Sequence, residues 1–173
     1  MKTKIEKTNV MRFLDAKKAE YESYFYDNLT LTSEELTSSI GIDIDAMFKT
    51  LVCEGKSGQN YVFMVRVNGE LDLKKAASVT GEKSISLIPQ KMLLPLTGYV
   101  HGGCSPIGMK KQFPTFIDEI SNFKEWIAFS GGRIGCQIKL RPKTLHNVGA
   151  HSAPKSPCAS LGPLSQHTPQ PSL

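Results

Sequence analysis

Residues 47–67 read MFKTLVCEGKSGQNYVFMVRV, and this stretch decides the fold class. Two runs rich in β-branched and aromatic side chains, 47–53 and 61–67, flank a glycine-bearing gap from Glu54 to Asn60. That arrangement predicts a β-hairpin. Lys49 is out of place in it. Alternation sets Lys49 on the face of Met47 and Leu51, which should otherwise be apolar. A lysine there either lies at an exposed edge and discourages strand addition, or turns into a polar pocket, where burial demands a partner or lowers its pKa.

Upstream, residues 8–19 read as a helix with Thr8 or Asn9 as cap and Val10, Phe13 and Leu14 on one apolar face. Residues 21–26 alternate like a strand. Ser33-Glu34-Glu35-Leu36 starts a helix with acids in its first turn, and Gly41 ends it. Downstream, Asn68-Gly69 turns the chain, Asp72 caps a short helix and Gly81 closes it. Residues 84–88 predict a strand, and Pro89 opens a helix that ends at Pro95. After the glycine-rich connection 98–112 come strands at 113–118, 126–130 and 134–140. A short helix over 142–148 follows, with Pro142 in its first turn. Strands and short helices mix without a regular βαβ rhythm. That favours an α/β domain with a mixed, largely antiparallel sheet.

The chain has 173 residues and a formal net charge of +5. That length is enough for one domain with a real core. No run of about 18 apolar residues exists, so no membrane-spanning helix is expected, and MKTKIEKTNV has no apolar h-region of a secretory signal. Cys53, Cys104, Cys136 and Cys158 form no C-x-x-C pair, which argues against a zinc site and a disulfide framework. A reducing, cytoplasmic setting follows. Residues 1–125 carry 16 basic and 16 acidic side chains, and Glu125 is the last acid. The whole excess of charge therefore lies in 126–173. The final 23 residues hold five of the ten prolines and no apolar periodicity. They predict a boundary near Ala150, with a folded domain over 1–150 and a disordered Pro/Ser-rich tail over 151–173.

The familiar catalytic and nucleotide-binding motifs are absent: no P-loop, no G-x-G-x-x-G, no H-E-x-x-H and no G-x-S-x-G. His101 and Cys104, three apart, could pair as base and nucleophile, but no orienting carboxylate stands near. The pairs Asp43/Asp45 and Asp118/Glu119 read as solvated or capping groups. Two glycine loops remain. His101-Gly102-Gly103-Cys104-Ser105-Pro106-Ile107-Gly108 can bring bare backbone N–H groups close to a ligand, where they can stabilise an oxyanion. Ser130-Gly131-Gly132 could face it with a hydroxyl. Each could equally be a tight turn.

At this point the residues match a known family. Phe48-Lys49-Thr50-Leu51, then Gly69-Glu70-Leu71-Asp72-Leu73-Lys74-Lys75, then Thr97-Gly98-Tyr99 through Gly102–Gly108 to Lys110-Lys111 stand in order. Pro114-Thr115-Phe116-Ile117-Asp118 and Ser130-Gly131-Gly132-Arg133-Ile134-Gly135 complete the set. From about residue 8 to 150 the chain resembles the YbaK/EbsC family, freestanding homologues of the editing insertion of bacterial prolyl-tRNA synthetases. The S-P-φ-G-x-K-K loop resembles the branch that deacylates Cys-tRNA(Pro). The resemblance implies that family's α/β fold and an aminoacyl-tRNA hydrolase. It implies no metal or organic cofactor; mischarged tRNA and prolyl-tRNA synthetase are its partners, with no DNA and no membrane.

The substrate's own thiol would attack its carbonyl, and the protein would supply pocket, orientation and oxyanion donors. On that basis Lys49 orients the terminal adenosine or its phosphate, and Gly102 and Gly103 offer N–H groups to the carbonyl oxygen. Thr50, Tyr26, Ser105, Ser130, Gly131 and Gly132 contact the substrate. Two alternatives stay open: a deacylase of another mischarged tRNA such as Ala-tRNA(Pro), and a noncatalytic binding module for a nucleotide or amino acid. The second is kept by Gln137, which stands where many relatives carry an acid. The tail is the other departure. A translated frameshift or an appended segment would account for its composition; a search of the other reading frames for a family-like continuation tests that idea. The neutral first 125 residues predict weak intrinsic tRNA affinity, with tRNA selection left to a complex with the synthetase.

Overall fold

The computed structural model describes residues 5–27 and 30–148. The Pro/Ser-rich tail lies outside them. The hairpin forms as its composition predicts: β2 (Phe48–Gly55) and β3 (Asn60–Arg66) pair antiparallel from Phe48↔Arg66 to Glu54↔Asn60. Gly58 takes the positive φ of +87° that the turn needs. β4 (Ile85–Leu87) adds to the other edge of β2, antiparallel, and β5 (Thr115–Ile117) adds to β3 in parallel. The strands expected at 21–26, 126–130 and 134–140 form a separate sheet. There β1 (Glu22–Phe25), β7 (Cys136–Leu140) and β6 (Ile127–Ser130) lie in the order β1-β7-β6, all antiparallel. Thus the sheet is divided in two, and a parallel bridge between Met47 and Ala128 joins the halves.

Alternation explains the core. One face of the hairpin carries Phe48, Val52, Val62 and Met64. It packs against Ile127, Phe129, Cys136, Ile138 and Leu140 of the three-stranded sheet. α1 (Asn9–Ala16) adds Val10, Met11 and Leu14 to this cluster, and α5 (Pro142–Asn147) adds Leu145. The opposite hairpin face carries Cys53, Phe63 and Val65, covered by Ala76 and Ala77 of α3 (Leu73–Thr80). Phe63 stacks on Phe116 of β5, centroids 5.4 Å apart. α2 (Ser33–Ile40) seats Leu36 and Ile40 on Met47 and Ala128, over the seam between the sheets.

Caps account for the helix limits. Thr8 accepts from the Met11 amide at 3.2 Å, Thr32 and Glu35 make a reciprocal capping box, and Asp72 accepts from the Lys74 and Lys75 amides. Gly41 and Gly81 take left-handed φ at the C-termini. Some boundaries differ from expectation: α1 stops at Ala16, short of residue 19, and β7 starts at Cys136 instead of residue 134. α4 (Gln90–Thr97) does not end at Pro95. A proline this close to the end forfeits one intrahelical bond. The last turn closes around it: the Thr97 hydroxyl donates to Leu93 O at 2.7 Å and Gly98 N–H to Leu94 O at 2.9 Å.

The carboxylate pairs read as solvated or capping are partly structural. Arg66 bridges Asp45 and Asp118, and Asp118 also accepts from the Ile120 amide. No helix among the described residues is long and apolar enough to cross a membrane.

Glu82 ties α3 to the hairpin tip. Its carboxylate accepts from Ser57 N–H at 3.1 Å, from the Ser57 hydroxyl and from the Tyr61 hydroxyl at 2.8 Å. These bonds, the Ser57 hydroxyl's first, hold the carboxyl below its ordinary range. A depressed carboxyl stabilises the fold above its unfolded pKa, and that contribution is lost as pH falls through the folded one. Glu82→Gln is therefore expected to flatten the acid limb of stability, read as urea midpoints from about pH 6 to pH 3. An acid limb as steep as in the parent would contradict this.

Candidate functional site

Among the described residues, β2 has a partner on its outer edge at two places only. It meets β6 through the Met47–Ala128 bridge and β4 from Cys53↔Leu87 onward. Residues 49–51 between them face no strand on that side. The backbone directions follow from register. Val52 O accepts from Ile88 N on the β4 side at 3.1 Å, and Met47 O accepts from Val67 N on the β3 side at 2.9 Å. Alternation then turns the Thr50 N–H and C=O toward the unpaired edge. A cavity of about 190 Å³ occupies this gap. Lys49 and Thr50 of β2, Gln90 and Leu93 of α4, His101, Gly102 and Cys104 of the long loop, Ser130 of β6 and Gln137 of β7 all reach it.

Of the two places open to Lys49, the structure gives it the pocket. Burial pushes its ammonium below the usual lysine range, opposed only by the charge of Glu70. It makes no ion pair with any described residue, and no carboxylate lines the cavity. Thr50 Oγ1 and Gln137 Oε1 are also buried there without a hydrogen-bond partner. Buried polar atoms are rarely left so. Ser130 Oγ accepts from Gly132 N–H at 3.3 Å, and its own proton stays available to a ligand. Gln137 Nε2 donates to the Tyr26 hydroxyl at 3.4 Å, so Tyr26 stands behind Gln137 and does not line the cavity.

The glycines divide by role. Gly102 lines the cavity at φ +80°. Gly103, expected to offer its amide to an oxyanion, instead donates it to Val100 O at 3.0 Å. A Cβ on Gly103 would come within 3.0 Å of the Arg133 and Ile134 backbone, so glycine there permits two loops to touch. Ser105 is fully buried, and its hydroxyl accepts from Ile107 N–H at 3.3 Å, outside the cavity. Gly131 donates its amide to Cys136 O at 2.9 Å, and a Cβ on it would lie 2.3 Å from Cys136 Sγ. Gly132 holds φ +95° with its Cβ position 2.8 Å from Val10. Both shape the turn that presents Ser130 and lie outside the cavity lining. Cys104 does line it, but burial pushes its thiol up to about 12, so it stays protonated at neutral pH and is no nucleophile. Gln90, Leu93 and Val67 reach the cavity from elements with no functional signal in the sequence.

The site can bind an anion beside a neutral polar group and polarise a carbonyl. It holds no carboxylate base and no ionised nucleophile. With that geometry in hand, comparison with known proteins gives a direct answer: the profile of the aminoacyl-tRNA editing domain matches residues 27–148. The chain belongs to the aminoacyl-tRNA editing domain family. The EbsC protein of Enterococcus faecalis, named provisionally as a Cys-tRNA(Pro)/Cys-tRNA(Cys) deacylase, is 41% identical over 142 residues, 81% of this chain and 87% of its own length. YwhH of Bacillus subtilis, an uncharacterized protein, is 26% identical over 121 residues, covering 69% of this chain and 76% of its own length.

Among solved structures, a provisionally assigned trans-editing enzyme for prolyl-tRNA synthetase superposes with a TM-score of 0.74 at 26% identity. The match covers 84% of this editing domain's chain and 92% of the other. The hypothetical protein APE2540 shares the fold at 19% identity, TM-score 0.75, over 84% of this chain and 96% of its own. The editing domain is accordingly a hydrolase of aminoacyl-tRNA esters with the YbaK-like α/β fold.

Proposed function

We propose that this editing domain hydrolyses Cys-tRNA(Pro) with the substrate's own thiol as nucleophile. The cavity's inventory carries the reading: Lys49 without an ion pair to any described residue, the His101 imidazole, hydroxyl and amide groups, and neither a carboxylate nor an ionised thiol. A pocket whose one candidate base, His101, has no lining carboxylate to orient it suits a substrate that brings its own reacting group. The cysteinyl sulfur, as thiolate, attacks its ester carbonyl carbon. The C–S bond forms, the bond from that carbon to the ribose oxygen breaks, and the ribose oxygen takes up a proton. Water then opens the resulting thiolactone to cysteine. The protein's part is orientation and stabilisation of the developing oxyanion. Lys49 binds the nucleotide end, Gly102 N–H and the Thr50 edge face the carbonyl, and Ser130 faces the ribose. The name of the 41% identical EbsC supports the cysteinyl substrate.

Cysteine is close to proline in size, and a hydrophobic pocket discriminates weakly between near-isosteres, so a separate editing site serves the synthetase. The neutral first 125 residues support a reading in which prolyl-tRNA synthetase is the partner that supplies tRNA selection, and in which the protein works in the cytoplasm.

Parallel deacylation of labelled Cys-, Ser- and Ala-tRNA(Pro) tests the reading. The cysteinyl ester is expected to be lost at least tenfold faster than the seryl ester, since serine has nearly the same shape with a poorer nucleophile. Equal rates on all three would remove the thiol from the mechanism. Preference for the alanyl ester would move the protein to another editing specificity. Binding without hydrolysis of any ester would leave a noncatalytic module.

A further inference from the structure

Four arginines occur in the chain, and three of them have at least one donor engaged by a described residue. Arg12 Nη1 donates to Lys7 O at 2.6 Å, Arg66 bridges Asp45 and Asp118, and Arg141 Nη1 pairs with Glu125 at 3.3 Å. Arg133 is different. It is exposed, and it has neither a hydrogen bond nor an ion pair to any described residue. Yet it is held in place: its guanidinium carbon lies 4.9 Å from the centroid of the Phe25 ring. Phe25 itself packs against the main core. Stacking of this kind steadies the guanidinium and leaves its in-plane N–H fork free.

Its position is specific. Arg133 lies in the turn between Ser130 and Gln137, both of which line the cavity. Its backbone is the surface against which Gly103 packs, with the Gly103 Cβ position 3.0 Å from Arg133 Cα. The neighbouring Gly102 lines the cavity, and its own Cβ position is 3.6 Å from the Ile134 side chain. Arg133 therefore marks the rim on the side of the Gly102–Gly103 loop, outside the space that takes the reacting ester. No acidic residue follows Glu125 in the chain.

We propose that Arg133, stacked on Phe25, binds a phosphodiester of the RNA strand as its 3′ end enters the cavity. This rests on the aminoacyl-tRNA reading and adds to it a second anion contact, separate from Lys49. A rigid fork matches two phosphate oxygens bidentately, which a lysine cannot reproduce. It also reconciles the charge-neutral first 125 residues with an RNA substrate: one organised cation at the rim replaces a broad basic patch.

The experiment compares the parent, Arg133→Ala and Arg133→Lys on two cysteinyl esters, the full tRNA and the 3′-cysteinyl adenosine nucleoside, which has no phosphate. For Arg133→Ala, KM for the tRNA is expected to rise about tenfold, with the salt dependence of kcat/KM shallower by about one in log–log slope. Its loss on the nucleoside ester is expected to be at least about fivefold smaller than its loss on tRNA. Arg133→Lys should recover only part of the tRNA effect. Equal losses on both substrates, or a parent-like KM and salt slope for Arg133→Ala, overturn the proposal. Should the parent cleave neither ester, the deacylase reading is what has failed. Binding of a fluorescent uncharged oligoribonucleotide ending in CCA then decides Arg133 separately, by whether Arg133→Ala weakens it about tenfold.

Discussion

Lys49→Ala is expected to lower kcat/KM for Cys-tRNA(Pro) by about 10²–10³-fold, the usual cost of removing one organised charge or donor from a transition state. The same substitution should not destabilise the protein. Lys49 makes no ion pair with a described residue, and burial, opposed by the charge of Glu70, holds its pKa down. A lysine whose folded pKa is depressed carries a penalty for its charge at neutral pH, and that penalty fades as pH rises from its folded pKa to its unfolded one. Lys49→Met keeps the stem's apolar packing and removes the charge. It should be as inactive as alanine, with a melting temperature equal to or above the parent's. Single-turnover deacylation alongside thermal melts checks both halves. Parent-like activity in either variant would take Lys49 out of the chemistry, and a large fall in melting temperature for Lys49→Met would show that the ammonium has a structural partner.

The second large effect lies in the core. Phe129 is fully buried between the two sheets, one residue before Ser130 and one after Ala128, which bridges to Met47. Phe129→Ala is expected to cost about 3–5 kcal/mol, a large share of a domain's total of about 5–15 kcal/mol. The cavity forms where β2 and β6 separate just beyond that bridge, so loosening the seam should also cut activity in the fraction that stays folded. Phe123 is 84% exposed and serves as contrast: Phe123→Ala should stay within about 0.5 kcal/mol of the parent. Urea denaturation of both variants measures the difference. A Phe129→Ala protein within about 1 kcal/mol of the parent would mean that the sheets do not depend on each other as described.

Much of the architecture was legible in single stretches of chain. The hairpin at 47–67 followed from composition and its glycines, and the helix limits at Asp72, Gly41 and Gly81 followed from capping chemistry, which left Thr8 and Asn9 open at the first helix. Helix α4 runs past Pro95 because its C-terminal turn closes through Thr97 and Gly98, a compensation that a proline rule omits. Lys49 stood out because one cation broke an apolar alternation. Its destination, edge or pocket, was not readable, since both answers have the same local pattern.

The glycine loop shows the same limit. Gly102 and Gly103 are indistinguishable as a dipeptide, yet one lines the cavity while the other spends its amide on Val100 and packs against Arg133. What this sequence determines by itself is whatever depends on neighbours within about four residues: period, caps, turns and the isolated charge. What only the tertiary structure decides is which strands leave a gap. The division into two sheets, the open edge at Thr50 and the meeting of Lys49, Ser130 and Gln137 all depend on pairings between segments about eighty residues apart. Those pairings are settled by how the two sheets bury Phe48, Phe129 and Ile138 together. Burial is a property of the assembled core, to which each strand contributes only half of every contact.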